Sequence, residues 1–402
     1  MIRVSTYTMF QNGEQAISTA ESQLMQTELQ LSTGKRINSP SDNPIGAANV
    51  ASLDTTVSQL TQFQSNQTEA QLQLNQADST MSSMVGLVQD AQQRLIQAGD
   101  ASYSDSQRAA LAQGLQGDLN QMVGLANTSD GQGGYLFSGS QESAPPFSQT
   151  GNTVTYSGDA TLQSIQVSQN RLLQVKFSGD DIFQKMRPGN GSFVTAAAAG
   201  NTGSGVIDAG SVTNPSALTG DNYTISFAVS GSGTTYQVQD TTKNQNVTSG
   251  SYTSPTTIAF DGLKVTLSGT PANNDSFTVA PAGYQSIFTT MANAIAALQQ
   301  PADTPAAAAQ LQTSLGSALA SMGQALDHVT LKQAQVGNQL QQLNSYSTLN
   351  SDRALQANSA LSSIQDLDYA KAASQMAQQQ TIYQAALQSY SAISKLSLFN
   401  YL

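Results

Sequence analysis

Side chains able to do chemistry are scarce in this sequence of 402 residues. There is one histidine, His328, beside Asp327 in a helical pattern. With no cysteine and no second histidine, it has no zinc-type ligand set to join. The absence of cysteine also removes disulfides and thiol nucleophiles. The glycine-rich stretches "GNTGSGVIDAG" and "GSGTTY" lack the spacing of a dinucleotide or phosphate loop and precede no helix, so they read as turns. No nucleophile elbow, Walker motif or calcium loop occurs. Asn-x-Ser/Thr appears at Asn66, Asn127, Asn190, Asn222, Asn246 and Asn274, as chance allows in so polar a chain. Carboxylates are plentiful, but no pair is singled out. The sequence therefore predicts no enzyme, no cofactor and no metal.

Charge points the same way. The net charge is −11, yet only 10% of residues are charged, so the surface is solvated by neutral polar groups. Between Arg187 and Lys332 the only lysines or arginines are Lys243 and Lys264, too few for a phosphate backbone. Nucleic acid is thus not an expected partner. No run of 18 apolar residues exists, so no membrane span is expected. The start "MIRVSTYTMFQNGEQ" has no apolar core of a cleaved signal peptide.

With chemistry this sparse, the informative features are the elements themselves. Phe10, Ile17, Leu24 and Leu31 recur every seven residues. From about Pro44 to Ala98, positions 53, 60, 67, 74, 81, 88 and 95 are apolar except Gln67, with small or apolar companions at 70, 77, 84, 91 and 98. This is the seam of a long helix. Helical patterns follow over Asp105–Ala126, from Met322 to Ile364 with polar breaks at Gln333, Ser347 and Asn350, and from Tyr369 to Lys395. The last carries Met376, Tyr383, Leu387 and Tyr390 on one face. Residues 135–282 are rich in Gly, Ser and Thr and read as short strands: "YLFSG", "TVTYSG", "LLQVKFSG", "YTISFAVSG", "TTYQVQD", "TTIAFDG", "LKVTLSG" and "DSFTVAP". "FDGLK" is a hairpin signal.

The expected fold is α plus β and multidomain: a long antiparallel helical coiled-coil rod built from both chain ends, with an inserted all-β outer domain. The expected domains are 1–43 with 366–402, 44–134 with 283–365, and 135–282, the last possibly two submodules. The inner rods can satisfy each other. The outermost helices carry apolar faces that look unpartnered within the chain, and other copies are their natural partners.

Between the first two helices lies "LSTGKRINSPSDNPIGAA". Gly34 is expected to stop one helix, and Asn43-Pro44 to start the next with Pro at its first position. Lys35 and Arg36 fall at the C-terminal end of the first helix, whose dipole favours cations. Gly34, Asn43 and Pro44 are the expected hinge.

This stretch is similar to the N-terminal signature of the bacterial flagellin family, and "QQQTIYQAALQSYSAISKLSLFNYL" resembles that family's C-terminal helix. Within the family, "MIRVSTYTMFQN", the "LSLF" ending and "GGYLFSGSQESAPPF" followed by "YSGD" resemble the hook–filament junction branch more than flagellin itself. The segment from Val212 to Pro281 looks like a β module found in several flagellar axial proteins. The resemblance implies a structural adaptor, exported by the flagellar type III apparatus without a cleaved signal and residing outside the cell. It implies self-association in a ring or helical zone, with the first hook–filament junction protein, flagellin and an export chaperone as partners. Terminal helices that order on assembly would place Phe10, Ile17, Leu24, Leu31, Tyr383, Leu387, Tyr390, Leu396, Leu398 and Phe399 at subunit interfaces. A flagellin-type filament subunit and a secreted adhesin-like surface protein are the alternatives.

Overall fold

The computed structural model describes residues 6–395 apart from 132 and 142. Six α-helices stand among them: α1 (Thr6–Thr33), α2 (Pro44–Ala98), α3 (Asp105–Ala126), α4 (Ile287–Leu298), α5 (Pro305–Gln365) and α6 (Tyr369–Lys395). Apolar spacing located α1, α2, α3 and α6 and the 322–364 part of α5, because a continuous apolar stripe requires helix, but α5 begins earlier than that stripe, at Pro305. Helix α4 buries one face, with Ile287, Phe288, Met291, Ala294, Ile295 and Leu298, and exposes Thr289, Asn293 and Ala296 on the other; at twelve residues it is too short to repeat a seven-residue spacing, so the sequence reading passed over it.

Contacts divide the chain into two compact units, 1–66 with 345–402 and 67–344. The divisions fall inside α2 and α5, whereas the sequence suggested them at 43/44 and 365/366.

In the 67–344 unit, the α2 seam is buried as expected: Leu74, Met81, Val88 and Leu95 alternate with Ala70, Ala77, Met84, Ala91 and Ala98. Gln67 is buried with them, and its amide donates to the Val167 carbonyl at 2.7 Å. The polar break in the seam is thus a contact to a strand. Helix α5 contributes Met322, Val329, Val336 and Leu343, all buried, and Gln333 of α5 donates to Asp78 of α2.

Thirteen short strands lie among the described residues of 147–281. Hairpins β1–β2 (Phe147–Thr150, Thr153–Tyr156) and β3–β4 (Ser164–Ser168, Arg171–Gln174) precede a sandwich. One sheet of the sandwich has the order β10-β9-β8-β13-β5, with β5 Phe193–Ala197, β8 Tyr223–Ser230, β9 Gly233–Asp240, β10 Gln245–Ser251 and β13 Ser276–Pro281. The other joins β11 (Thr256–Phe260) to β12 (Leu263–Ser268), which pairs with β6 (Val206–Ile207) and β7 (Ser211–Val212). Their facing side chains, among them Ile225, Phe227, Val238, Ile258, Val265, Leu267 and Phe277, form one core. Asp261 (φ 43°) and Gly262 (φ 78°) make the expected β11–β12 turn.

"YLFSG" is a correction. Residues 135–139 form isolated bridges and turns, because Phe137 is needed in a ring cluster with Phe183 rather than in a ladder. Phe147, Phe183 and Phe288 complete that cluster at centroid separations of 4.9–5.4 Å. A π-helical turn, Asp180–Gln184, presents Phe183 to it. Close by, Lys176 and Asp130 form an ion pair at 3.0 Å with side chains 5% and 3% exposed.

In the other unit, α5 continues its seven-residue burial at Asn350 and Ala357. Ser347, expected on the seam, is exposed, and Tyr346 is half-buried beside it.

Candidate assembly surface and joint

Helices α1 and α6 pack against each other, antiparallel. Burial on α1 falls on Phe10, Gly13, Ile17, Ala20, Leu24, Thr27 and Leu31, and on α6 on Ala372, Met376, Gln379, Tyr383, Ala386, Tyr390 and Ile393. Both sets step by threes and fours, so each helix offers a coiled-coil seam to the other. At one end the rings of Phe10 and Tyr390 meet edge to face, 6.0 Å apart. Gly13 lies under Tyr390, where a Cβ would come within 2.9 Å of the ring. The expectation that these faces lacked a partner inside the chain is therefore corrected: the two seams match each other.

Among the residues expected at subunit interfaces, Phe10, Ile17, Leu24, Leu31, Tyr383 and Tyr390 lie half-buried on this intrachain seam. Leu387 does not; it is 42% exposed on another face of α6. Leu396, Leu398 and Phe399 lie outside the described residues. Sequence reading passed over a different set. Met25 (57% exposed) and Leu29 (52%) project from α1 off the seam, as Ile382 (50%) does from α6. Their one-turn spacing on α1 was a usable signal, masked by the stronger repeat of seven.

Hydrogen bonds from both main chain and side chains define the joint between α1 and α2. Gly34 ends α1 with φ +69°, its N–H donating to Gln30. Asn43 caps α2: its side-chain oxygen accepts from Gly46 N–H at 2.9 Å, and Pro44 takes the first helical position. Between them, Asp42 accepts from the N–H groups of Ser39 (2.9 Å) and Asn38 (3.0 Å), and these bonds hold its carboxyl below the usual range. A second joint, 366–368, links α5 to α6, where Asp368 accepts from Lys371 N–H at the head of α6.

Arg36 corrects the sequence reading. Its guanidinium does not serve the C-terminus of α1. Nη2 instead donates to the carbonyls of Ser363 (3.3 Å) and Ile364 (2.6 Å), at the end of α5. Only tertiary proximity of two chain-distant joints reveals this partner.

Elsewhere, His328 meets the Asp181 carbonyl through Nε2 at 2.9 Å, and Lys332 pairs with the Asp181 carboxylate. Both anchor the π-turn to α5. A cavity of about 340 Å³ lined by residues such as Thr195, Asn293, Thr313 and Ser317 contains no ionisable side chain. No group of three metal-binding side chains occurs among the described residues, and no helix among them is long and apolar enough to cross a membrane.

Comparison with known proteins matches residues 4–142 to the bacterial flagellin N-terminal helical region and 319–402 to the flagellin C-terminal helical region. Residues 196–281 match the D2-like domain of flagellar hook-associated protein 1. The flagellar junction protein FlgL from Legionella pneumophila is 30% identical, with a TM-score of 0.73 over 79% of this chain and 99% of that one. The chain belongs to the FlgL family. FlgL from Xanthomonas campestris is similar at 29% identity and a TM-score of 0.71, over 77% of this chain and 99% of its own. Flagellar hook-associated protein 3 of Escherichia coli is 27% identical over 399 residues, 99% of each chain. That of Salmonella typhimurium is 26% identical over 404 residues, again 99% of each. In this FlgL-family chain the α1–α6 seam and both joints fall within the two flagellin-like regions, and most of the β sandwich falls within the D2-like match. The expected architecture, helices from both ends around an inserted antiparallel β region, is the one observed.

Proposed function

We propose that the chain is a structural adaptor of the bacterial flagellum, joining the hook, through the first junction protein, to the flagellin filament. The role is architectural and involves no catalysis. The carrying observation is the outer surface of the terminal pair. After α1 and α6 have used their seams on each other, Met25, Leu29, Ile382 and Leu387 remain about half exposed. Apolar side chains on paired helices that are already satisfied are suited to further copies and to other flagellar components. Residues 34–44 serve as the hinge, with Gly34 and the Asn43-Pro44 cap fixing where bending occurs. Likeness over the whole length to proteins named for hook association, and to a flagellin at each end, supports export through the flagellar route and an extracellular position.

Deletion of the gene tests the reading. Cells should build complete hooks, bear no attached filaments and lose flagellin to the medium. Normal filaments after deletion would end it. Abundance separates the adaptor from a filament subunit: an adaptor is a trace component of sheared filaments, a subunit their bulk.

A further inference from the structure

The two joints are chemically one. Helix α5 ends at Gln365, and its last four carbonyls, 362–365, need partners from outside the regular ladder. Ser362 O accepts from Asp366 N–H at 2.9 Å. The other three are all served by residue 36. Its guanidinium takes Ser363 and Ile364, and its main-chain N–H takes Gln365 at 2.7 Å. In return, Leu367 N–H donates to Gly34 O at 3.0 Å, so Lys35 and Asp366 face each other as an antiparallel bridge. Gln30 closes the set by donating to the Arg36 carbonyl at 2.9 Å. A cation at a helix C-terminus is favoured by the helix dipole, and an arginine can reach two carbonyls at once.

We infer that Arg36 is a latch that ties the 34–43 joint to the 366–368 joint, so that α1 and α6 turn as a single arm about the adjoining ends of α2 and α5. Without the guanidinium, the two joints would be held only by the two main-chain bonds of the Lys35–Asp366 bridge and by the paired seam. With it, a bend at Gly34 is transmitted to Asp366 through main-chain bonds. The inference rests on reading 34–44 as a joint, but not on the adaptor role.

The chain has no cysteine, which makes the test clean. The bridge bonds flank the Lys35–Asp366 pair, which makes it a non-hydrogen-bonded pair. Such pairs have Cα atoms about 4.5 Å apart, within disulfide range. The purified full-length Lys35→Cys/Asp366→Cys variant should oxidise rapidly to an intrachain disulfide, read by its shifted non-reducing gel mobility. Adding Arg36→Ala should slow that oxidation at least about tenfold, the factor that one hydrogen bond from a charged donor is worth. Arg36→Lys should fall between. In cells, Arg36→Ala should impair filament attachment, and the same cysteine pair should restore it until reductant is added. Equal oxidation rates with and without Arg36, whether both fast or both slow, would overturn the latch. So would an Arg36→Ala defect that the cross-link fails to repair. Neither result would bear on whether deletion of the gene abolishes filaments.

Discussion

Replacing Leu29 with aspartate should separate what α1 does inside its own chain from what it does between chains. Leu29 is 52% exposed although α1 is already packed on α6. Full burial of a leucine is worth about 1.5–3 kcal/mol, so roughly half of that, about 1 kcal/mol, remains available to a neighbour. An aspartate at the same place forfeits that gain. If the neighbour covers it, an unpaired charge is buried as well, at a cost of several kcal/mol. A total near 4 kcal/mol corresponds to about a thousandfold loss of association at each contact. Inside the chain, the change costs only helix propensity, about 0.5 kcal/mol. Leu24→Asp is the contrast, because Leu24 is half-buried on the α1–α6 seam. Electron microscopy of cells carrying each variant as the sole copy gives attachment, and circular dichroism of the purified chain gives helix content. Leu29→Asp should abolish attached filaments with helix content unchanged, whereas Leu24→Asp should lower both. Normal filaments with Leu29→Asp would refute the assignment of this surface. A loss of helix content matching that of Leu24→Asp would place Leu29 in the intrachain contact instead.

Three further outcomes follow from the same structure. Lys176→Ala removes the cation paired with the buried carboxylate of Asp130, which keeps its bond from Gly134 N–H, and should destabilise the 67–344 unit by about 3–5 kcal/mol in urea unfolding; Lys176→Met with Asp130→Asn should recover most of the loss. Gly34→Ala forces a Cβ into the left-handed region beneath the Tyr369 hydroxyl, and should cost about 1–2 kcal/mol, seen as faster hydrogen exchange across 30–38. The Asp159 carboxyl is held down to about 2 by the Ser140 hydroxyl, then by the N–H groups of Ser140 and Thr161, from an ordinary value of 3.8. Its stabilisation is present above pH 3.8 and is lost as pH falls toward 2. The thermal midpoints of wild type and Asp159→Asn should therefore differ near neutrality, draw together between pH 3.8 and about 2, and converge only below that.

Much of this protein was decided by sequence alone. A helix with a continuous apolar stripe needs only its own periodicity, so α2, α3 and α6 begin and end where spacing, Pro44 and the acidic and polar caps place them. The Asp261-Gly262 turn is equally local, because only its two residues must adopt positive φ. What tertiary structure decided were the choices between equivalent partners. Phe10, Ile17, Leu24 and Leu31 could have faced another chain or α6, and a heptad stripe does not name its mate. The matching stripe on α6, with Gly13 opened for Tyr390, did so. "YLFSG" has strand composition, yet Phe137 gains more in the aromatic cluster than in a ladder. Arg36 reads as a cap for the helix that precedes it, but the carbonyls it satisfies belong to residues more than three hundred positions away. Local propensity acts through near neighbours in the chain. A cation beside two helix ends takes whichever presents unpaired carbonyls within reach, and that is settled only when the joints meet.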